Sequence, residues 1–172
     1  ISIGEAAGYA LLERPDSDSH ANAPALLGCG ESSDAYHMSS PHPEGAGAMS
    51  AMQRALSSAG LAPQDIDYIN LHGTATRAND AVEDLAVSGL FGNDTFCSST
   101  KGWTGHTLGA AGITEAVIAC LCLERGLIPG SLNTNEVDPA FASRVVVENR
   151  EQAVTRVLSN SFGFGGSNCS LI

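Results

Sequence analysis

The 172-residue sequence predicts an α/β layered domain with a mixed sheet. Short apolar runs typical of strands alternate along the chain with segments whose apolar residues recur at helical spacing. Residues 110–123 are apolar on nearly every side, which indicates a helix buried inside a layered domain rather than one lying on its surface. A content of 43% hydrophobic and 16% charged residues is that of a globular chain with a substantial core.

The first half of the chain predicts two strands, a long loop and a helix. The polar residues 14–19 are typical of a turn, and residues 32–47 contain Ser-Pro-His-Pro and Glu-Gly signals that are too irregular for a helix or strand. Loops of that length in compact domains are often functional. Apolar residues between Met49 and Ala59 recur at helical spacing, and Gly60 is placed to end that helix. The two strands are predicted at residues 7–13 and 25–29.

The second half predicts two helices and five strands. Asp80 and Glu83 resemble an N-terminal cap with its reciprocal acid, so capping explains both, and Gly92 ends the helix that follows them. Gly126 ends the apolar helix. Residues 162–168, Phe-Gly-Phe-Gly-Gly-Ser-Asn, predict a tight loop. The strands are predicted at residues 66–71, 96–98, 145–147, 157–162 and 169–172.

Composition excludes several classes of partner and location. The net charge of −11 argues against nucleic acid and anionic membrane surfaces as partners. No stretch approaches the roughly 20 apolar residues of a membrane span. The chain begins Ile-Ser-Ile-Gly-Glu, with neither an initiator methionine nor the basic leader of a signal peptide. We therefore expect a fragment of a cytoplasmic protein.

The five cysteines predict free thiols in a reducing compartment, because they are odd in number and scattered, with no disulfide framework or zinc spacing. Cys120 and Cys122 are two positions apart on the apolar helix and point to different sides, so no metal pair is expected there. The histidines outside the motifs occur in polar or proline-rich loops and are interpreted as solvated or structural: His20, His37 and His42.

Candidate catalytic residues follow two of the predicted strands. His72, and the stretch from Lys101 to His106, each lie between a strand and a helix, where open α/β sheets gather ligand-binding residues. Two histidines from separate strand ends can both donate ring N–H groups to one carbonyl or enolate oxygen. Thr74 and Thr76 offer hydroxyls to a polar substrate arm.

Structural interpretations of the same residues stay open at this point. A single His-Gly-Thr triplet is more often a capped turn, Lys101 can be a surface turn residue, and Glu115 can pair with an arginine. Phe162 and Phe164 flank glycines and can be core aromatics at a hairpin, although residues 162–166 also offer backbone N–H groups to an oxyanion or form a gate.

Three motifs taken together resemble the β-ketoacyl-acyl-carrier-protein synthases. They are Asn-Leu-His-Gly-Thr-Ala-Thr at 70–76, Ser-Thr-Lys followed by Gly-His-Thr-Leu-Gly-Ala-Ala-Gly within 99–112, and Asn-Ser-Phe-Gly-Phe-Gly-Gly-Ser-Asn at 160–168. Residues 4–8 and 34–38 also look like the family's mid-protein segments. The resemblance covers essentially the whole chain but only the C-terminal half of such an enzyme. The lysine-to-histidine motif looks more like that of discrete fatty-acid elongation synthases than of polyketide modules.

The resemblance implies a thiolase-like fold, in which two similar halves pack as α-β-α-β-α layers and the protein forms a homodimer. Residues 1–172 would be one C-terminal domain, a mixed five-stranded sheet with helices on both faces. The implied activity is that of a 3-oxoacyl-ACP synthase: decarboxylative Claisen condensation of malonyl-ACP with an acyl thioester in fatty-acid or related biosynthesis. No cofactor or metal is implied, since acyl carrier protein brings both thioester substrates on its phosphopantetheine.

The resemblance also implies roles for four polar residues. His72 and His106 would hold the malonyl thioester oxygen and stabilise the enolate left when carbon dioxide departs. Lys101 would keep the histidines and their water in order, and Glu115 would be the buried acid near that lysine. The family's nucleophilic cysteine belongs to the N-terminal half, so we expect the isolated chain to be inactive in condensation.

Three further residues would contact or admit the substrate. Thr74 and Thr76 would contact the pantetheine arm, and Phe164 would be a gate whose backbone N–H contributes to the oxyanion hole. Trp103 departs from the family's usual smaller residue, and we expect it to narrow the substrate channel or alter access.

Two alternatives come from other classes of protein. A non-catalytic partner that resembles chain-length factors would keep this fold, but it has no need of two histidines and a lysine. A stand-alone acyl-binding or structural domain would leave part of the helix at 110–123 uncovered, and an exposed apolar patch of that kind invites association.

Overall fold

The computed structural model describes residues 1–14 and 23–172. His20 and all but the first residue of the turn expected at 14–19 lie outside the described residues. The helices are α1 (Ala46–Ala59), α2 (Arg77–Phe91), α3 (Lys101–Thr104) and α4 (Ala111–Arg125), with short 3-10 turns at Pro63–Asp65 and Leu108–Ala110. The strands are β1 (Cys29–Ser33), β2 (Tyr68–Asn70), β3 (Phe96–Ser98), β4 (Leu127–Ile128), β5 (Arg144–Val145), β6 (Arg150–Glu151), β7 (Val157–Gly163) and β8 (Ser167–Leu171).

The main sheet is mixed and has six strands in the order β1-β8-β7-β2-β3-β5. Strands β7, β2, β3 and β5 are parallel neighbours, whereas β8 runs antiparallel to both β7 and β1. The resemblance implied a five-stranded sheet, whereas the structure has six strands; the outer strand β1 is the counterpart of the strand predicted at residues 25–29 and pairs with the outer edge of β8. Strands β4 and β6 form a separate two-stranded ribbon that the sequence did not predict.

Helices cover both faces of this sheet, as expected. On one face, α1 and α2 pack against Ile69, Cys97 and Leu158. On the other face, α4 packs against Tyr68 and Val157. Tyr68 and Ile69 are neighbours on β2 but pack into cores on opposite faces of the sheet, because side chains alternate along a strand. The α/β layered fold predicted from the sequence is confirmed.

Three helices end at the glycines that the sequence predicted as helix ends. Gly60, at φ 67°, ends α1 by donating its N–H to the carbonyls of Leu56 and Ser57. Gly92 and Gly126 end α2 and α4 in the same way, each with a positive φ. The N-terminal cap expected at Asp80 is wrong, because α2 begins one turn earlier, after Thr76.

The strand predicted at residues 7–13 does not form. Ile3 makes an isolated parallel bridge with His106, but Tyr9, Leu11 and Leu12 are at least 73% exposed. An apolar run becomes a strand only when another strand satisfies its backbone groups, and no described strand pairs with this one. The strand predicted at 25–29 is displaced and begins at Cys29.

Helix α4 is covered on one side only. Ala111, Glu115 and Cys122 are buried, whereas Val117 and Leu121 on another side are 47% and 45% exposed. The expectation of a helix buried all round is therefore wrong for the described residues. Cys120 is exposed while Cys122 is buried, which confirms that the two thiols point to different sides. No helix in the described part of the chain has both the length and the apolar character needed to cross a membrane.

Candidate active site

Parallel strands bring the predicted catalytic residues to one edge of the sheet. His72 follows β2, Lys101 follows β3 at the start of α3, and Phe162 lies near the end of β7. Because β7, β2 and β3 are parallel neighbours, their carboxyl ends meet at this edge. His106 joins them from the loop between α3 and α4.

The two histidines lie side by side. The ring centroids of His72 and His106 are 5.4 Å apart, and the rings stand at 85° to each other. The Phe162 ring lies 5.9 Å from the His72 ring on another side. Both histidines line a cavity of about 920 Å³. That volume lies within the range of small-molecule sites, at their larger end.

Neighbouring groups determine which nitrogen of each imidazole donates. Lys101 Nζ lies 3.5 Å from Nδ1 of His72, and the backbone N–H of Leu108 donates to Nδ1 of His106 at 3.3 Å. Leu108 adopts a left-handed conformation, with φ 54°, to make that bond. A neutral imidazole that accepts at Nδ1 carries its proton on Nε2. The site therefore presents two Nε2–H donors.

Electrostatics keep both histidines neutral. Burial, together with the charge of Lys101 and the neighbouring His106, lowers the pKa of His72 to about 3. Burial and then Lys101 also lower the pKa of His106. At neutral pH the pair therefore consists of neutral hydrogen-bond donors rather than imidazolium ions.

Lys101 and Glu115 form a buried ion pair, in which Lys101 Nζ donates to Glu115 Oε1. Lys101 is thus not the surface turn residue that remained an alternative, and Glu115 pairs with this lysine rather than with an arginine. Burial raises the pKa of Glu115 to about 7, and the positive charge of Lys101 opposes the rise. The lysine is therefore held between the carboxylate of Glu115 and the ring of His72.

Glu83 is a site residue that sequence reasoning missed. Its fully buried carboxylate accepts the backbone N–H groups of His72 and Gly73, both at 2.8 Å, and the Asn160 side-chain amide at 3.2 Å. Burial raises the pKa of Glu83, and these three hydrogen bonds oppose the rise. The capping explanation is wrong for this acid, which instead fixes the loop that carries His72.

The predicted substrate-contacting residues line the same cavity. The hydroxyls of Thr74 and Thr76 are hydrogen bonded to each other at 2.8 Å. Phe164 lies in the turn between β7 and β8 and is 86% exposed, so it is not a core aromatic, unlike Phe162. Trp103 does not line the cavity; its indole N–H donates to the Gly130 carbonyl at 2.9 Å. The expectation that Trp103 narrows the substrate channel or alters access in the complete enzyme stays a prediction.

The sequence matches the family described as Beta-ketoacyl synthase, C-terminal domain, over residues 24–135. The chain belongs to this family. It is 42% identical to the mitochondrial 3-oxoacyl-[acyl-carrier-protein] synthase of Arabidopsis thaliana, covering 99% of this chain and 39% of the relative. It is 41% identical to 3-oxoacyl-[acyl-carrier-protein] synthase 2 of Coxiella burnetii, covering 99% of this chain and 43% of that protein. The chain thus spans about two fifths of the length of these relatives.

Solved structures of ketosynthases share the fold of this synthase domain, which is thiolase-like. A chain in the structure of the ketosynthase ApeO in complex with its chain length factor ApeC, from Xenorhabdus doucetiae, matches with a TM-score of 0.79 and 50% identity over 85% of this chain and 37% of that one. A β-ketoacyl synthase from Burkholderia phymatum matches with a TM-score of 0.80 and 40% identity over 85% of this chain and 36% of that one.

The N-terminal segment of the synthase domain holds the His106 loop. The Gly4 N–H donates to the His106 carbonyl at 3.1 Å, and the His106 N–H donates to the Ser2 carbonyl at 2.7 Å. A Cβ on Gly4 would lie 2.1 Å from the Thr104 carbonyl oxygen, so only glycine permits this approach. Hydrophobic periodicity does not predict this contact between the N-terminal segment and the His106 loop. The family resemblance at residues 4–8 was the one feature of the sequence that pointed to it.

The long loop predicted at residues 32–47 holds the turn that carries Phe164. Asp34 Oδ1 accepts the Asn168 side-chain amide at 2.8 Å, and the Asp34 N–H donates to the Gly166 carbonyl at 2.8 Å. The Gly165 N–H donates to the Met38 carbonyl at 2.7 Å. The loop, for which the sequence predicted a functional role, thus supports the Phe164 turn at the mouth of the cavity.

Proposed function

We propose that this chain supplies the histidine and lysine portion of the active site of a 3-oxoacyl-ACP synthase. The reaction is decarboxylative Claisen condensation of malonyl-ACP with an acyl thioester, in fatty-acid or related biosynthesis. The observation that carries the proposal is the pair of neutral imidazoles, 5.4 Å apart, whose Nδ1 atoms both face donors.

Two fixed Nε2–H donors suit decarboxylation. When the bond between the malonyl carboxylate and its α-carbon breaks, carbon dioxide leaves and the electron pair remains as an enolate, with negative charge on the thioester oxygen. His72 and His106 stabilise that oxygen without reorganising, because their orientation is set before the reaction. The α-carbon then attacks the carbonyl of an acyl thioester and expels its thiolate.

Lys101 and Glu115 act on this step through His72. Lys101 keeps Nδ1 of His72 occupied and its ring neutral, and Glu115 offsets the cost of burying the ammonium group. Neither side chain lines the cavity that contains the histidines and threonines, so we assign both as positioning residues. Because both histidines donate hydrogen bonds as neutral imidazoles, decarboxylation proceeds without a proton transfer.

The cavity wall suits a pantetheine arm. Thr74 and Thr76 present hydroxyls beside the histidines, matching the amide groups of such an arm. We assign Phe164 as the gate, with its backbone N–H contributing to the oxyanion hole that receives the acyl carbonyl. The partner is acyl carrier protein, no metal or cofactor takes part in condensation, and the complete enzyme is a homodimer in the cytoplasm.

We propose that the isolated chain does not condense thioesters, because the thiol that lines its cavity is not activated as a nucleophile. Cys169 lines the cavity, but burial together with Cys29 and Glu31 raises its pKa to about 11. A nucleophilic thiol needs the opposite environment, with a lowered pKa. The nucleophile of the proposed reaction is therefore a cysteine outside this chain.

A non-catalytic, chain-length-factor-like partner subunit is the second candidate. It is favoured by the solved neighbours, since ApeO is in complex with a chain length factor and another match is the ishigamide ketosynthase/chain length factor. A subunit of that kind has no use for buried His72 and Lys101 in a hydrogen-bonded array. The array therefore supports the catalytic candidate.

The test is a chimera in which this chain replaces the matching portion of the Coxiella burnetii synthase. We expect the chimera to release carbon dioxide from malonyl-ACP and to form a 3-oxoacyl product. His72→Ala and His106→Ala should each slow carbon dioxide release by about 100-fold or more, as loss of one oxyanion donor does elsewhere. His37→Ala, at an exposed loop position, is the matched control. A folded chimera that releases no carbon dioxide would favour the partner-subunit candidate.

A further inference from the structure

Three metal-ligating side chains meet where β1 pairs with β8. Glu31 lies directly opposite Cys169 in the antiparallel register, and Cys29 lies opposite Leu171, diagonal to Cys169. Residues 29, 31, 169 and 171 share one face of the pair, because side chains alternate along each strand. The Cys29 Sγ, Cys169 Sγ and a Glu31 carboxylate oxygen all lie within 4.8 Å of one another.

This geometry is close to that of a metal site. Ligand atoms around a tetrahedral ion with bonds of about 2.0 to 2.3 Å stand about 3.3 to 3.8 Å apart, so a small rotation of the side chains brings all three to one ion. Cys169 lies on β8, which is hydrogen bonded on both sides, to β1 and to β7, and Cys29 and Glu31 lie on β1, all five residues of which pair with β8. The three ligands therefore require little ordering before an ion binds.

The Glu31 carboxylate supplies the negative charge of the cluster. No basic side chain in the described part of the chain makes an ion pair with Glu31. A divalent cation stabilises every anionic ligand around it and displaces the protons of the thiols that coordinate it.

We propose that Cys29, Glu31 and Cys169 form a zinc-binding site. Thiolates select zinc over the hard cations magnesium and calcium, and a mixed sulfur and oxygen set suits Zn²⁺ better than Cu⁺. Binding converts two thiols to thiolates and releases two protons to solvent. Three protein ligands leave a fourth position for water, and Glu31 and Cys169 border the cavity that contains His72 and His106.

Zinc bound here joins the edge strand β1 to β8. Strand β1 leads into the segment in which Asp34 contacts Gly166 and Asn168, so the ion would reinforce the strand that supports the Phe164 turn. Sequence spacing gave no sign of the site, because its ligands come from opposite ends of the chain. The prediction of no metal rested on cysteine spacing and on the family resemblance, and neither tests ligands brought together from opposite ends of the chain. This proposal is independent of the catalytic function proposed above.

The test is titration of the untagged, reduced chain with Co²⁺ and then Zn²⁺. We expect one equivalent of Co²⁺ to give thiolate charge-transfer absorption and the intense visible bands of a tetrahedral ion, and Zn²⁺ to displace it. Zn²⁺ should also raise the melting temperature, since an ion that binds only the folded state stabilises it.

Variants connect that signal to the three ligands. Cys29→Ser and Cys169→Ser should each abolish the charge-transfer band, and Glu31→Gln should weaken Co²⁺ binding by at least about tenfold. Cys120→Ser removes an exposed thiol on α4 and should change nothing. Circular dichroism confirms that each variant is folded. Absence of the tetrahedral spectrum in the parent chain, or its persistence in Cys169→Ser, overturns the proposal.

Discussion

Lys101 Nζ lies 3.5 Å from Nδ1 of His72 while it also donates to the buried carboxylate of Glu115. One ammonium group thus satisfies a buried acid and determines which nitrogen of a buried histidine carries the proton. Charge balance and catalytic geometry are therefore coupled in a single side chain, and the first prediction tests that coupling.

Lys101→Met is expected to destabilise the fold by about 3 to 5 kcal/mol, because it leaves the Glu115 carboxylate buried without its partner. The double variant Lys101→Met with Glu115→Gln should recover part of that loss. Urea denaturation measures both. Arg125→Met, which removes an exposed pair with Glu124, is the control and should cost at most about 1 kcal/mol. Equal costs for the buried and the exposed pair would contradict the prediction.

The buried neutral state of His72 predicts a loss of stability in acid. The pKa of His72 is about 3 in the folded chain against 6.5 for a free histidine, so the unfolded chain binds a proton first as the pH falls. Between pH 6.5 and 3 this group lowers the unfolding free energy by up to about 1.4 kcal/mol per pH unit.

Glu115 acts in the opposite sense over part of the same range, because its pKa is raised to about 7 and it binds a proton first in the folded chain. The His72 contribution is therefore isolated by comparing the chain with His72→Gln from pH 7 down to 4. The advantage of the parent chain should shrink as the pH falls. His37→Gln, at an exposed position, serves as the control, and an advantage independent of pH would contradict the assignment.

Gly4→Ala is expected to displace the N-terminal segment from the His106 loop, because the new methyl group would meet the Thr104 carbonyl oxygen. We expect a cost of about 1 to 3 kcal/mol and a changed NMR signal for the His106 ring. Gly109→Ala is the matched control, since a Cβ there meets nothing within 4 Å. An unchanged His106 signal in Gly4→Ala would show that the segment does not position this histidine.

Asp34→Asn is expected to loosen the Phe164 turn. The carboxylate accepts the Asn168 amide through Oδ1 and the His42 N–H through Oδ2, and an asparagine can accept only one of the two. The loss should be about 1 to 3 kcal/mol, with faster hydrogen exchange at Gly165 and Gly166. Asp138→Asn, in an exposed loop, should leave that exchange unchanged.

Local patterns in the sequence determined most of the fold. Helical spacing and the terminal glycines located α1 and the end of α4, and the short apolar run at Phe96–Ser98 is the strand β3. These features depend on residues close together in the chain. The strand predicted at residues 7–13 does not form, because a strand depends on pairing with another strand, which its own residues do not specify.

The sequence by itself placed His72, Lys101 and His106 after strands, and the resemblance added Glu115 and the candidate gate Phe164. Only the tertiary structure decided that Lys101 lies between Glu115 and His72, that Glu83 holds the His72 loop, and that Gly4 contacts the His106 loop. It also brought Cys29 and Cys169 together from distant parts of the chain. Side-chain type and periodicity are local properties, whereas burial, pKa and the choice of donating nitrogen depend on which distant groups the folded chain brings into contact.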